Sequence, residues 1–153
     1  NVRIDDFTIL SGGSGIEIGS HVHIAAFCAL YGKGRIFMGD FSELSPRTAV
    51  FSCSDDFSGD SMTNAVIPEK FRRCSSGPVV INRHAVIGTN CTILPDVTVG
   101  EGAAAGANTL INRNLDAFKI YAGTPAKKIK KRKRNFLKLE MLFLEEYERD
   151  TDN

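Results

Sequence analysis

Apolar residues return at every sixth position across the middle of this chain: Ile81, Ile87, Ile93, Val99, Ala105 and Ile111. Two places before five of them stand Ala85, Cys91, Val97, Ala103 and Thr109, all small or β-branched, and a glycine directly follows three, as Gly88, Gly100 and Gly106. A period of six fits neither the 3.6-residue helix nor the two-residue alternation of a flat sheet. It fits a parallel β-helix in which three hexapeptides make one triangular coil, so that stacked coils align an aliphatic ladder along the axis. The phase recurs upstream at Ile18, Ile24 and Leu30, then, after a slip of two residues, at Met38, Leu44 and Val50, with Val22, Cys28, Ser42 and Thr48 in the small slot. At least four coils are expected.

The repeat is interrupted between Phe51 and Gly77, where a polar stretch opens with Cys53-Ser54-Asp55-Asp56-Phe57-Ser58-Gly59-Asp60. So long an excursion from a solenoid is usually functional or disordered. After Pro125 the character changes again, with seven basic residues in the eight from Lys127 to Arg134. Phe136, Leu139, Phe143 and Tyr147 then recur at helical spacing, which predicts an amphipathic helix flanking or capping the stack. The expected organisation is a β-helix over residues 1–126 carrying a loop at 51–77, followed by a basic segment and helix over 127–153.

Composition adds limits. The 153 residues are 42% hydrophobic, enough for a core, which a solenoid buries as a narrow column. A net charge of +1 gives no global pull toward nucleic acid or membrane. No apolar run approaches the roughly 20 residues of a membrane span, and no signal peptide is visible. The first residue is Asn rather than Met, which leaves open whether a segment precedes it; the expected compartment is the cytoplasm. Cys28 and Cys91 occupy the small interior slot, where a thiol acts as a compact hydrophobe. Cys53 and Cys74 fall in the interruption and form neither a CxxC nor a zinc-ligand spacing.

The run PVVINRHAVIGTNCTILPDVTVGEGAAAGANTLINRNL followed by YAGTPAKKIKKR, from Pro78 to Arg132, resembles the left-handed β-helix hexapeptide acyltransferases, which include galactoside, maltose, xenobiotic and bacterial sugar O- and N-acetyltransferases. The hexad marks the solenoid, and the Ala-Gly-x-Pro-Ala-Lys element adds the acyltransferase signature. The left hand, acetyl-CoA as donor, a homotrimer with sites between subunits, and a sugar or sugar-nucleotide acceptor are all what the resemblance implies. It also implies cofactor-binding roles for particular residues. Thr89 stands where relatives place a small hydroxyl residue beside the pantetheine, and Ala107 where backbone groups bond its amides. Gly123, Thr124 and Pro125 shape the turn at the adenine-diphosphate end, Lys127 and Lys130 stand where cations meet the phosphates, and Asn112 and Arg113 flank the same track more loosely. Galactoside and xenobiotic relatives carry a histidine early in the long loop. Here that stretch reads Ser54-Asp55-Asp56, and Val86 replaces a tryptophan, so the acceptor arrangement is not a copy of theirs.

Three histidines remain as candidates for a base. His21 and His84 lie three places after a ladder residue, at corners where exposure is expected. His23 immediately precedes Ile24, in a slot facing outward on a flat side, and Glu43 holds the same slot one coil later, about 4.8 Å away by strand spacing. A carboxylate there orients an imidazole and raises its basicity. The expected catalytic residues are therefore His23 with Glu43, and His84 as second choice. A sugar hydroxyl attacks a thioester only if a base takes its proton while a backbone N–H steadies the oxyanion. Asp55 and Asp56 are expected to bind the acceptor, through hydroxyls if it is an alcohol or through its ammonium if it is an amine. Acetylation of a sugar hydroxyl is the leading reading and N-acetylation of an amino sugar the alternative. A non-catalytic or zinc-binding solenoid using His21, His23 and His84, and a nucleic-acid or membrane binder using Lys127 to Arg134, are the other classes. No metal, nucleic acid or membrane insertion is expected.

Overall fold

The structure, a computed structural model, describes residues 1–151, with side chains through Tyr147; residues 152 and 153 of the expected C-terminal segment lie outside the described residues. The chain winds into a parallel β-solenoid of about six turns with three flat faces. The first face stacks Val2–Ile4, Val22–Ile24, Glu43–Leu44, Val86–Ile87, Ala104–Ala105 and Lys119–Ala122 in parallel. The second stacks Ile9–Gly12, Ala29–Gly32, Ala49–Phe51, Thr92–Ile93 and Leu110–Ile111. The third stacks Ile16–Ile18, Ile36–Met38, Val79–Ile81 and Thr98–Val99.

Inside, the ladder is dry. Ile24, Leu44, Ile87, Leu30, Val50, Ile93, Met38, Ile81, Val99 and Ile111 are fully buried. Burial at this level contributes on the order of 2 kcal/mol per aliphatic side chain, and each residue touches the rungs above and below, so the stack grows like a one-dimensional array. The small slots sit at the tightening of the coil, and apart from the unpartnered Ser42 Oγ their polar atoms turn toward carbonyls of the wall. Thr48 Oγ1 donates to Gly88 O at 3.1 Å, and Cys28 and Cys91 point their Sγ atoms at Ser45 O and Gly106 O, 3.2 and 3.1 Å away. Burial pushes both thiols up from their ordinary range, as interior packing groups require.

Of the first turn only Ile18 was read from the hexads; the strands Val2–Ile4 and Ile9–Gly12 were not. That turn's ladder residues Ile4 and Leu10 are 44% and 43% exposed, while Ile24 and Leu30, one rung further in, are fully buried.

Corners close through single residues in the left-handed conformation. Between the third and first faces they are His21 (φ 56°), Phe41 (57°), His84 (57°), Gly102 (59°) and Phe118 (53°), stacked in one column. Gly102 interrupts the side chains because a Cβ there would come within 2.6 Å of the Phe118 ring. Between the first and second faces the column reads Phe7, Phe27, Arg47, Asn90 and Asn108.

Helix α1, Asn135–Thr151, runs along the first of these columns. Phe136 packs on His84 (4.8 Å between ring centres), while Phe143 and Tyr147 meet His21 edge-on at 5.2 and 5.5 Å. The basic run before it does not form a separate lobe. Lys127–Lys131 adds an antiparallel strand to the first face beside Lys119–Ala122, and Arg132 bonds the carbonyls of His84 and Gly102 at 2.8 and 3.2 Å.

The interruption at 51–77 is ordered at its base. Cys53–Asp55 and Cys74–Ser76 pair as an antiparallel hairpin, and Cys53 and Cys74 are joined by a disulfide across a Cα separation of 6.4 Å. That pairing was not expected from cysteine spacing. No helix among the described residues is long and apolar enough to cross a membrane.

Candidate functional site

Strand pairing places His23 directly beside Glu43, as the hexad spacing required. The closer partner, however, comes from the unforeseen part of the first turn. Asp5 Oδ2 lies 3.0 Å from His23 Nε2, whereas Glu43 Oε1 stands 3.7 Å from Nδ1, beyond hydrogen-bond distance. Asp5 also accepts from Arg3 Nε at 2.7 Å, and these two contacts, His23 first, hold its carboxyl below the usual carboxylate range. The imidazole is a little over one-third exposed. With Nε2–H donated to Asp5, the Nδ1 lone pair is the one left to take a proton. Glu43 thus flanks the ring and does not orient it.

His84 departs from expectation. It is 8% exposed, where a corner position predicted exposure, because α1 covers it. Its Nε2 lies 2.7 Å from Glu140 Oε2, its ring stacks on Phe41, and Glu140 also pairs with Arg83. Burial, reinforced by Arg83, pushes the imidazole below its ordinary value. Glu140 had no role in the sequence reading, since nothing in a local pattern connects residues 56 apart. His21 lies in the same column and is taken up by stacking on Phe41 at 4.8 Å. No group of three His, Cys, Asp or Glu poised to hold a metal occurs among the described residues.

The expected cofactor residues divide. Thr89, Ala107 and the Gly123–Pro125 turn fall at the corner between first and second faces on consecutive coils. Asn108 N donates to Thr89 O at 2.9 Å, Leu110 N to Gly123 O at 3.1 Å, and Thr124 Oγ1 to Asn108 O at 3.0 Å. The wall between them is tight: a Cβ on Gly88 would sit 2.7 Å from Ala107 N. Ala107, Thr124 and Pro125 are exposed, so the edge is open to a long thin ligand. Lys127, opposite Ala122, and Lys130, opposite Ile120, continue from its last turn and are exposed. Asn112 and Arg113 do not flank this edge. They follow strand Leu110–Ile111 and stand at the next corner, across the width of the second face.

The two loop carboxylates differ as well. Asp56 is consumed by its own loop: Oδ1 accepts from Ser58 N (2.8 Å) and Ser58 Oγ (2.6 Å), and Oδ2 accepts from Ser61 Oγ (2.9 Å). These bonds pull its carboxyl down to about 2. Asp55, on the hairpin strand and exposed, pairs through its backbone, while its carboxylate makes no hydrogen bond or ion pair among the described residues. The hairpin leaves the far end of the second face, while His23 and Glu43 lie on the first.

Known proteins place this architecture. No protein-family model matches the chain. It is 40% identical over 144 residues to the dTDP-4-amino-4,6-dideoxy-D-glucose acyltransferase of Escherichia coli, spanning 94% of this chain and 75% of that protein. It is 30% identical over 131 residues to WbbJ of Escherichia coli K12, assigned as an O-acetyl transferase of lipopolysaccharide biosynthesis, spanning 86% of this chain and 58% of WbbJ. Among solved structures, a variant of AntD, an N-acyltransferase from Bacillus cereus in complex with dTDP-4-amino-4,6-dideoxyglucose and coenzyme A, superimposes with a TM-score of 0.92 at 45% identity, over 95% of this chain and 78% of that one. The hexapeptide-repeat acetyltransferase VCA0836 from Vibrio cholerae, 22% identical with a TM-score of 0.73 over 87% of this chain and 72% of its own, shares the fold.

Proposed function

Because the chain belongs to the hexapeptide-repeat left-handed β-helix acyltransferases, we propose that it transfers an acyl group from acyl-CoA to the amino group of a nucleotide-linked deoxy amino sugar. The observation that carries this reading is the likeness to AntD across 95% of the chain. Of the two acceptors that the sequence left open, hydroxyl and amine, the relatives acting on an amino sugar cover more of the chain at higher identity than WbbJ does, which supports the amine.

The chemistry asks little of the protein. The amine lone pair attacks the thioester carbonyl, a tetrahedral oxyanion forms, the C–S bond breaks, and the amine proton leaves to a base as the coenzyme thiolate departs. The edge formed by Thr89, Ala107 and the Gly123–Pro125 turn fits the pantetheine arm, with Lys127 and Lys130 at its phosphate end. His23, oriented by Asp5, is the base in this reading, and Asp55 holds the acceptor amine. In one chain these two groups sit on different faces, so the reading includes a homotrimer in which the loop of one subunit reaches the first face of the next.

The direct test is coenzyme A thiol release with acetyl-CoA and 3-hydroxybutyryl-CoA, using dTDP-4-amino-4,6-dideoxyglucose against its 4-hydroxy counterpart, with product mass measured. Acylation of the amine alone is expected. Turnover of the 4-hydroxy sugar alone would move the assignment to an O-acyltransferase. Light scattering should give three chain masses; a stable monomer that acylates at full rate would defeat the shared site.

A further inference from the structure

Where the loop leaves the second face, two cavities share a wall. One, of about 360 Å³, is lined by Lys33, Cys53, Asp55, Glu69, Arg72 and Cys74. The other, of about 340 Å³, is lined by Phe51, Cys53, Ser54, Asp55, Phe57 and Leu94. Cys53 and Asp55 belong to both, and the Cys53–Cys74 bond ties that wall to the returning strand. Each volume is near the lower end for small-molecule sites, and the pair together offers room for a sugar and its diphosphate.

The two cavities differ in chemistry. The first holds two cations and two carboxylates, whereas the second is walled by two aromatic rings and a leucine. At the rim of the ionic cavity Lys33 Nζ meets Glu69 Oε1 at 2.8 Å, with both side chains mostly exposed. Arg72 is set deeper. Its Nε is enclosed and has no acceptor. The Arg72 charge acts on the Glu69 carboxylate, but an enclosed N–H without an acceptor is costly unless an oxygen ligand completes it. Asp55 is the matching unpaired anion, since Asp56 is spent on its own loop.

Charge balance selects the class of ligand. A simple phosphate brought here meets Asp55 and Glu69 along with the cations, and part of its attraction cancels. A molecule carrying an ammonium and phosphate oxygens satisfies both signs. Resting on the amino-sugar reading above, we infer that these cavities are the acceptor subsite: the nucleotide diphosphate binds Arg72 and Lys33, the sugar amine binds Asp55, and the deoxy edge of the sugar packs against Phe51, Phe57 and Leu94. In a 4-amino-4,6-dideoxy sugar the amine and the methyl-bearing carbon are neighbours, and the diphosphate leaves from the opposite side of the ring. That order matches apolar cavity, Asp55 and ionic cavity.

The experiment is calorimetric binding of dTDP and of coenzyme A to the full chain and to Arg72→Met, Arg72→Lys, Lys33→Met and Asp55→Asn, each checked by thermal melt. Arg72→Met should weaken dTDP about tenfold to a hundredfold through the lost charge-assisted bonds. Coenzyme A affinity should not change. Arg72→Lys should recover part of the loss, Lys33→Met should lose less, and Asp55→Asn should leave dTDP unaffected while raising the KM of the amino sugar. Because Arg72 Nε bonds nothing in the fold, its replacement should leave the melt in place; were it to unfold, Lys33→Met carries the same test. Wild-type dTDP affinity in Arg72→Met and Lys33→Met, or no dTDP binding by the wild-type chain, overturns the subsite. Binding of dTDP that depends on Arg72, without acylation of any nucleotide-linked amino sugar, would instead sink the proposed reaction and leave the nucleotide subsite standing.

Discussion

Two imidazole–carboxylate pairs occur in this molecule, and they are built to opposite ends. His23 and Asp5 meet at 3.0 Å on an open face, with side chains 36% and 26% exposed, both supplied by rungs of the solenoid itself. His84 and Glu140 meet at 2.7 Å with side chains 10% and 9% exposed, one from a corner and the other from α1. The first pair leaves Nδ1 facing a surface where a substrate can approach, with Glu43 beside it. The second has its Nε2 turned into protein, its ring between Phe41 and Phe136, and its carboxylate shared with Arg83. The two pairs share hydrogen-bond chemistry and differ in access. In the proposed mechanism the open pair does proton transfer, whereas the closed pair joins the helix to the prism.

The strongest way to break that contrast is to exchange the consequences. His23→Ala should lower kcat by about 10² to 10⁴ while thermal stability and coenzyme A affinity stay close to wild type, since a general base acts in the transition state. Asp5→Asn should cost about tenfold in kcat, because Asp5 positions the ring without touching the reacting atoms. His84→Ala should reverse the pattern, with a lowered melting temperature and a kcat near wild type among molecules that remain folded. An inactive but stable His84→Ala beside an active His23→Ala would invert the assignment.

Next in size is the fastening itself. Glu140→Ala leaves the nearly closed His84 without its hydrogen-bond partner, while Arg83, 38% exposed, keeps Asp40 at 3.1 Å, and an unsatisfied buried donor costs about 1 to 3 kcal/mol. Urea unfolding should show this as a shifted midpoint, and limited proteolysis should cut α1 first. If Glu140→Ala matches the wild type in both, α1 is held by ring packing alone, through Phe136, Phe143 and Tyr147.

The contrast also explains what was readable in the chain. The ladder from Ile81 to Ile111 was legible because a solenoid repeats its contacts locally, and each inward position is fixed by its neighbours six residues away. The His23–Glu43 adjacency followed from the same register. Asp5 was missed with the first two faces of the first turn, although Ile4, Ile24 and Leu44 recur at an interval of twenty, as do Leu10, Leu30 and Val50. The two-residue slip after Leu30 repeats one after Leu10, so a signal at that longer interval existed. Glu140 is another matter. Its contact with His84 depends on how α1 lies against a corner column, and no periodicity within either element encodes that. The exposure expected of His84 failed for this reason, while the same corner logic holds for Phe27, which no helix covers and which is 57% exposed. The disulfide and the enclosed Arg72 belong to the non-repeating loop, where sequence offers no register at all.

A third effect sharpens the contrast by standing apart from both pairs. Replacing Lys127 and Lys130 with alanine should weaken coenzyme A binding by about tenfold to a hundredfold in total, read by calorimetry, with dephospho-coenzyme A losing less if the contacts are to the 3′-phosphate. Neither change should move kcat at saturating cofactor, because the lysines lie on an edge strand remote from His23. A fall in kcat with unchanged affinity would place these cations near the reacting carbonyl.

The smallest effect tests the closed pair through pH. Burial comes first in depressing the His84 imidazole, Arg83 and Arg132 add to it, and Glu101 opposes them. A histidine whose folded-state value lies below its ordinary value of 6.5 binds fewer protons folded than unfolded in the window beneath that value. Stability contributed by neutral His84 is therefore fully present above about 6.5 and is lost as pH falls through the depressed value. The melting temperature of the wild-type chain should decline on acidification below that point, and His84→Gln should flatten part of the decline. A melting temperature that instead rises as pH falls through the window would mean that the Glu140 carboxylate holds an imidazolium against the cost of burial, making the closed pair an ion pair.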